Sequence, residues 1–370
     1  MQEPRRARQL GIVVGGLPTG VHNAITDVAG VRVGHTTIVS GETIRTGVTA
    51  VVPDQLLTRP ALPAGLSVGN GYGKIVGSTQ VAELGEIETP VLLTATLSTF
   101  RVADALVTYL LSMPGREAAQ SVNPVVAETN DGFLSDIRAR PVTEEHVLAA
   151  LSGATGGLPG EGCVGAGTGT GALGFKAGIG TSSRVATTSR GPATVGVLVQ
   201  SNFSGVLRVC GVPVPRDRVG VPVAQTAPGP VGPGADAEHP GNSCVIVVAT
   251  DARLDARQLG RLARRAIFAM GRVGSDFTSG SGDYALAFAT AEVDLPALPE
   301  SDVDPLFAAV LEATEEALLN SLFMATTTVG FDGHVRYAVP HDRVLTLLRE
   351  HGWAGRATTG RERPTGRRNG

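Results

Sequence analysis

Asn242-Ser243 sits where "HPGNSCVIVVATDA" (239–252) passes from a Pro/Gly-rich run into unbroken apolar residues. A serine at that junction is poorly placed to cap a helix and well placed to become the first residue of a new chain. Were the Asn242-Ser243 bond cut, Ser243 would own a free α-amine with a reference pKa of ~7.7–8.0. A substantial fraction of such an amine is neutral at pH 7–8, and it can act as general base for its own hydroxyl, with no histidine needed. Cutting needs no protease either, because Ser243 Oγ can attack the Asn242 carbonyl to give an ester that water opens. The same dipeptide is common in ordinary turns, and spacing alone leaves both readings open.

A second cluster lies in "SGSGDYALAFAT" (279–290), where Ser279, Ser281 and Asp283 fall at i, i+2 and i+4. In an extended segment all three share one face, which Ala285, Ala287 and Ala289 continue and keep narrow. Two hydroxyls and a carboxylate there suit a site that holds an ammonium and relays a proton; a polar turn before a strand is the plainer alternative. "VGVLVQSN" ends in Asn202, whose amide can donate to an oxyanion. "NPVVAETNDG" (123–132) ends in Glu128, Asn130 and Asp131, and Glu128 can pair with a substrate ammonium, with Asn130 beside it. Both segments also fit strand-end turns.

Other chemistries find little support. Residues 169–174 match G-x-G-x-x-G, but "LGFKAGIGTSSRVAT" follows as a hairpin pattern rather than a helix, and no Gly-Lys-Ser/Thr occurs. The stretch therefore reads as close backbone approach, and no nucleotide cofactor is expected. The seven histidines show no HxxxH or HxH pair; His35 begins a strand pattern, and His334 and His341 lie in polar turns, so no metal is expected. A Ser-His-Asp triad assembled from distant segments stays possible, although no G-x-S-x-G elbow is present. Cys163, Cys210 and Cys244 are far apart and odd in number, and all three read as small apolar residues rather than disulfide partners.

The elements that must position these residues come from hydrophobic pattern. "TPVLLTATL" (89–97), "ATVGVLVQS" (193–201), "CVIVVAT" (244–250) and "YALAFAT" (284–290) are apolar on both faces and must be covered on both sides. Between them run helical stripes: 101–113, with Val102, Ala105, Leu106 and Tyr109; 143–151, opening Thr-Glu-Glu; 251–270; and 304–326. A layered α/β fold follows, with either two stacked sheets or one doubly wound sheet inside helices. Residues 211–242 are proline-rich and aperiodic, and their second half reads as a mobile, exposed loop. Residues 356–370 read as a disordered tail. A net charge of −3 over 370 residues gives no electrostatic case for nucleic acid or an anionic membrane. No apolar run spans a bilayer and no signal peptide is evident, so a cytoplasmic protein is expected.

Taken together, "LGIVVGGLPTGVHNAITDVAGVRVGHTTI", "VGNGYGKIVG", "PVVAETNDGFLSDI", "GCVGAGTGTGALGFKAGIG", "GVLVQSNFSGVLRV", "NSCVIVVATDARL", "SGSGDYALAFAT" and "LLNSLFMATTTVGFDGH" resemble, in order from about residue 9 to 345, the L-aminopeptidase/D-Ala-esterase-amidase family, which includes the β-peptidyl aminopeptidases. The resemblance implies a four-layer αββα fold with two stacked sheets between helix layers. It also implies one structural domain that cuts itself into an α chain, 1–242, and a β chain, 243–370. Ser243 would be the nucleophile, Ser281 and Asp283 its strand partners, Asn202 the oxyanion residue, and Glu128 with Asn130 the substrate side. Asp283 stands where some members carry the longer Glu, and Asn242 fits the Gly or Asn that precedes the nucleophile. The implied substrate is a small peptide, amide or ester with a free amine, and the implied assembly is four αβ units. A nylon-oligomer hydrolase branch shares the pattern with threonine as nucleophile. An ornithine-acetyltransferase-like acyltransferase and an uncleaved binding protein are the alternatives.

Overall fold

The four stretches expected as doubly covered strands are strands in the computed structural model, which describes residues 2–222, 242–292 and 296–355. The fold is mixed α/β. Its main strands are β1 (Val31–Ser40), β2 (Ile44–Pro53), β3 (Leu62–Gly71), β4 (Ile75–Val76), β5 (Glu86–Ile87), β6 (Val91–Ala95), β7 (Val125–Thr129), β8 (Ile179–Thr188), β9 (Gly191–Asn202), β10 (Asn242–Thr250) and β11 (Ser281–Ala289). They form a five-stranded sheet, β1-β2-β6-β7-β4, and a six-stranded sheet, β8-β9-β10-β11-β3-β5. Of the two arrangements that composition left open, the described residues show two main sheets rather than one. The helices are α1 (Ser78–Leu84), α2 (Thr99–Leu111), α3 (Glu144–Ser152), α4 (Ala256–Val273), α5 (Val303–Phe323) and α6 (His341–Glu350).

Three apolar clusters account for the double burial. Val33, Val51, Leu93 and Val125 of the first sheet meet Leu198, Val245, Val247 and Leu286 of the second. Val48, Leu92 and Val126 pack with Leu106 of α2 and Leu151 of α3. Val197, Ile246, Val248 and Ala287 pack with Leu262 of α4 and Val310 of α5. Each such aliphatic side chain contributes about 1.5–3 kcal/mol by leaving water.

Local sequence sets the helix bounds. Asp255 accepts from the Gln258 amide at 2.7 Å and caps α4, and Gly274 ends it at φ +102°. The stripe Leu259, Leu262, Ala263, Ala266 is the buried face of α4. It lies close against β3 because Gly65 has no Cβ; one there would sit 2.2 Å from the Gly260 nitrogen. In the 165–180 stretch, Gly178 and Gly180 likewise carry no Cβ that would strike Gly162 O and Ala317 O, and a short hairpin, Gly171–Ala172 with Phe175–Lys176, overlaps the last two glycines of the motif rather than following them.

Three expectations need correction. Cys244 is buried and Cys163 half-buried, but Cys210 is exposed with φ +52°, at the tip of a two-residue hairpin with Gly211, so it is a turn residue. His341 is not in a polar turn: it opens α6, buried, with Nε2 against Phe323 O at 2.9 Å. His35 lies within β1 rather than at its start. Most of the loop expected to be mobile and the expected tail, 356–370, lie outside the described residues. Among the described residues no helix is long and apolar enough to cross a membrane.

Candidate active site

Register places the candidate residues side by side. β9 and β10 run antiparallel with Asn202 opposite Ser243, and β10 and β11 run parallel with Asn242 opposite Ser281, Ser243 opposite Gly282 and Cys244 opposite Asp283. Ser243 is thus the second residue of an interior strand of the six-stranded sheet, with Asn202 on one side and the Ser281–Asp283 segment on the other.

Side-chain alternation then sorts the groups by face. Ser243 shares the period of Val245 and Val247, which point between the sheets; Asp283 shares that of Ala285 and Ala287, which point at the helices. The Ser243 hydroxyl faces a cleft of about 380 Å³ at the ends of the two sheets, lined also by Gly73, Lys74, Thr96, Glu128, Asn130 and Asn242. Hydroxyl and carboxylate therefore lie on opposite faces, and the backbone nitrogen of residue 243 lies in the plane between them.

The Asn242-Ser243 junction is close-packed. Ser243 Oγ donates to the carbonyl oxygen of Asn242. The Asn242 side chain is pinned by Nδ2 donating to Thr278 Oγ1 at 2.9 Å. Asn202 Nδ2 donates to Asn130 O at 2.8 Å, and its Oδ1 accepts from the Gly171 amide at 3.1 Å, so the amide beside residue 243 is held in place.

Across the strand, Ser281 Oγ donates to Asp283 Oδ1 at 2.7 Å. Burial pushes the Asp283 carboxyl up to about 6, against the pull of the Ser281 hydroxyl and the Cys244 amide, with Asp276 adding to the rise. A carboxyl raised above its ordinary value costs folding free energy once ionised, and that cost disappears as pH falls from about 6 towards its ordinary 3.8. In an uncleaved Ser243→Ala background, Asp283→Asn should raise the melting temperature at pH 7.5, by at most about 3 kcal/mol of stability, and change it little at pH 4. Thermal melts across that range check this; equal effects at both pH values would contradict it.

Glu128, at the end of β7, is buried, and its Oε1 accepts from the Lys74 amide at 2.9 Å, with Lys74 Nζ at 3.5 Å. Glu128 Oε2 has no protein partner among the described residues. Lys74 Nζ in turn donates to Thr96 Oγ1 at 2.5 Å. Asn130 lines the cleft, but its Oδ1 accepts from the Gly132 amide at 2.9 Å and closes a turn. Asp131 is absent from the cleft lining and buried, and burial raises its carboxyl to about 7.

Ser279 departs from expectation. It lies in an exposed turn, because β11 starts only at Ser281, so the shared face begins with Ser281 and Asp283. The residues missed by sequence reasoning are Lys74, Thr96 and Thr278. Each acts through a partner distant in sequence; the glycines around Lys74 in "GYGKIVG" were the one available signal. Among the described residues no group of three His, Cys, Asp or Glu side chains converges as a metal site.

Residues 23–336 match the sequence pattern of Peptidase family S58. The chain is 41% identical over 366 residues to beta-peptidyl aminopeptidase BapA of Sphingosinicella xenopeptidilytica, covering 93% of this chain and 91% of that protein. Among solved structures, a Burkholderia sp. beta-aminopeptidase superposes with a TM-score of 0.83 at 38% identity, over 94% of this chain and 99% of that one. The L-aminopeptidase D-Ala-esterase/amidase of Ochrobactrum anthropi, described as a prototype for the serine aminopeptidases and a variant of the Ntn hydrolase fold, superposes with a TM-score of 0.83 at 33% identity, over 94% and 99%.

Proposed function

The chain belongs to Peptidase family S58, and on that premise we propose that it is a serine aminopeptidase that creates its own nucleophile by cleaving Asn242-Ser243. The observation that carries the reading is the register that sets Ser243 between Asn202 and the Ser281–Asp283 pair at the mouth of the Glu128 cleft. In self-cleavage, Ser243 Oγ attacks the Asn242 carbonyl carbon, the C–N bond breaks, and the nitrogen takes the hydroxyl proton. Water then opens the ester, leaving an Asn242 carboxylate and a Ser243 amine.

That amine answers a geometric problem. The carboxylate faces the helices and the hydroxyl faces the cleft, so no side chain of the Ser281–Asp283 pair shares the hydroxyl's face. The nitrogen in the sheet plane bridges the two. It accepts the Oγ proton as Oγ attacks the substrate carbonyl, while Ser281 and Asp283 hold and relay from the other face. Asn202 Nδ2, with a backbone N–H, stabilises the oxyanion. The proton passes to the leaving amine, and water hydrolyses the acyl-Ser243 ester, restoring the hydroxyl. The substrates are small peptides, amides or esters whose free amine pairs with Glu128.

We further read the three apolar clusters as the three interfaces of a four-layer αββα sandwich. Residues 1–242 and 243–370 would then be two chains of one domain, and four such αβ units would assemble in the cytoplasm.

Glu128→Gln keeps the shape and removes the charge that faces the ammonium. KM for an amine-bearing substrate should rise roughly 10- to 100-fold with kcat little changed, while self-cleavage proceeds at the wild-type rate, since it needs no ammonium. Steady-state kinetics beside a gel time course read both; a fall confined to kcat would contradict the role. p-Nitroanilides of L-Ala, β-homo-Ala and D-Ala, offered to processed protein, test the activity itself. Turnover of none, with turnover of an acetyl donor, would favour an acyltransferase.

A further inference from the structure

A second cavity, of about 260 Å³, lies on the far side of Asn242 from the Glu128 cleft, and Asn242 lines both. Asn202 joins them too: its Nδ2 binds Asn130, in the wall of the Glu128 cleft, and its Oδ1 binds Gly171, in the wall of the second cavity. A carbonyl seated at Asn202 and Ser243 thus has one cavity on each side. Their charged groups differ. The first pairs the buried Glu128 carboxylate, whose Oε2 has no partner among the described residues, with Lys74 on its other oxygen; the second holds two guanidinium side chains, Arg336 and Arg216, with Asp217 exposed to solvent among its lining residues.

Arg336 is built into this position. Its guanidinium stacks 4.4 Å over the Phe133 ring, which itself stacks on His334 at 4.5 Å. A Cβ on Gly171 would come within 3.1 Å of Arg336 Nε, so the glycine leaves room for it. Burial, and then the nearby Arg216, pull the Arg336 pKa down to about 10, which keeps it charged at neutral pH yet better satisfied beside an anion.

Resting on the aminopeptidase reading above, we propose that this cavity is the leaving-group subsite and that Arg336 binds the C-terminal carboxylate of a short peptide. The preferred substrate is then a zwitterionic dipeptide, its ammonium at Glu128 and its carboxylate at Arg336, with the scissile carbonyl at Asn202 between them. A cavity of about 260 Å³ accommodates an amino-acid residue, and a planar guanidinium fits a carboxylate in bidentate fashion.

The test uses processed protein and alanyl-glycine against alanyl-glycinamide, in L, D and β-homo forms. Wild type should favour the acid over the amide in kcat/KM by roughly tenfold or more, mainly through KM. Arg336→Gln should collapse the ratio towards one, and Arg336→Lys should restore part of it. Equal turnover of acid and amide by wild type, or an unchanged ratio in Arg336→Gln, overturns the proposal. Should Arg336→Gln fail to fold, the wild-type ratio decides: a preference for the acid that falls with ionic strength supports the subsite, and one that ignores salt overturns it. Turnover of neither form would instead overturn the aminopeptidase reading itself.

Discussion

Ser243→Ala should leave a single 370-residue chain on a denaturing gel after any incubation, where wild type should separate into 1–242 and 243–370. The variant should also show no turnover above background on any p-nitroanilide. Both losses have one cause: alanine has no oxygen to attack the Asn242 carbonyl and none to accept an acyl group. The fold should survive. Ser243 contributes one hydroxyl at the cleft mouth, and the apolar clusters around β10 begin with Cys244 and Val245. A melting temperature close to that of wild type would separate lost chemistry from lost structure. Cleavage at 242–243 in Ser243→Ala would mean that another nucleophile acts there.

The second large effect is at Asn202. Asn202→Ala removes the amide held beside Ser243 by Asn130 and Gly171. Loss of one oxyanion donor typically costs ~10²–10³ in kcat, and the expected loss here is of that size with KM nearly unchanged. Self-cleavage should slow by a similar factor, because the tetrahedral intermediate at the Asn242 carbonyl develops the same charge. Rapid self-cleavage with slow peptide turnover would show that the two reactions use different oxyanion donors.

Much of this site was legible in the sequence for a physical reason. Strands buried on both faces have few polar residues, so polar side chains at their ends stand out; Asn202, Glu128, Ser243, Ser281 and Asp283 are singled out that way. Their mutual arrangement was not legible. Asn202 meets Ser243 through an antiparallel register, and Asn242 meets Ser281 through a parallel one, neither of which local periodicity specifies. Ser279 was misjudged because i, i+2, i+4 spacing says nothing about where extension begins; Gly280 leaves that point in a turn. Beyond the strand pattern read at His35, the β1–β2 hairpin and β3 drew no separate assignment. Half of β1 faces solvent, and β3 carries glycines where α4 comes close, so neither shows the continuous apolar run of β10. Lys74 escaped because its meaning depends on Glu128, which β4–β7 pairing brings beside it. The opposition of faces between the Ser243 hydroxyl and the Asp283 carboxylate emerged only from the packing, and it supplies the reason for an amine base.

Purified uncleaved chain, followed with intact mass and p-nitroanilide turnover read on the same aliquots, tests that amine most directly. Turnover should rise in strict proportion to the fraction of chains bearing a free Ser243 nitrogen, with the two product masses together exceeding the precursor by one water. Full turnover while residues 242 and 243 are still joined by an amide would contradict the account.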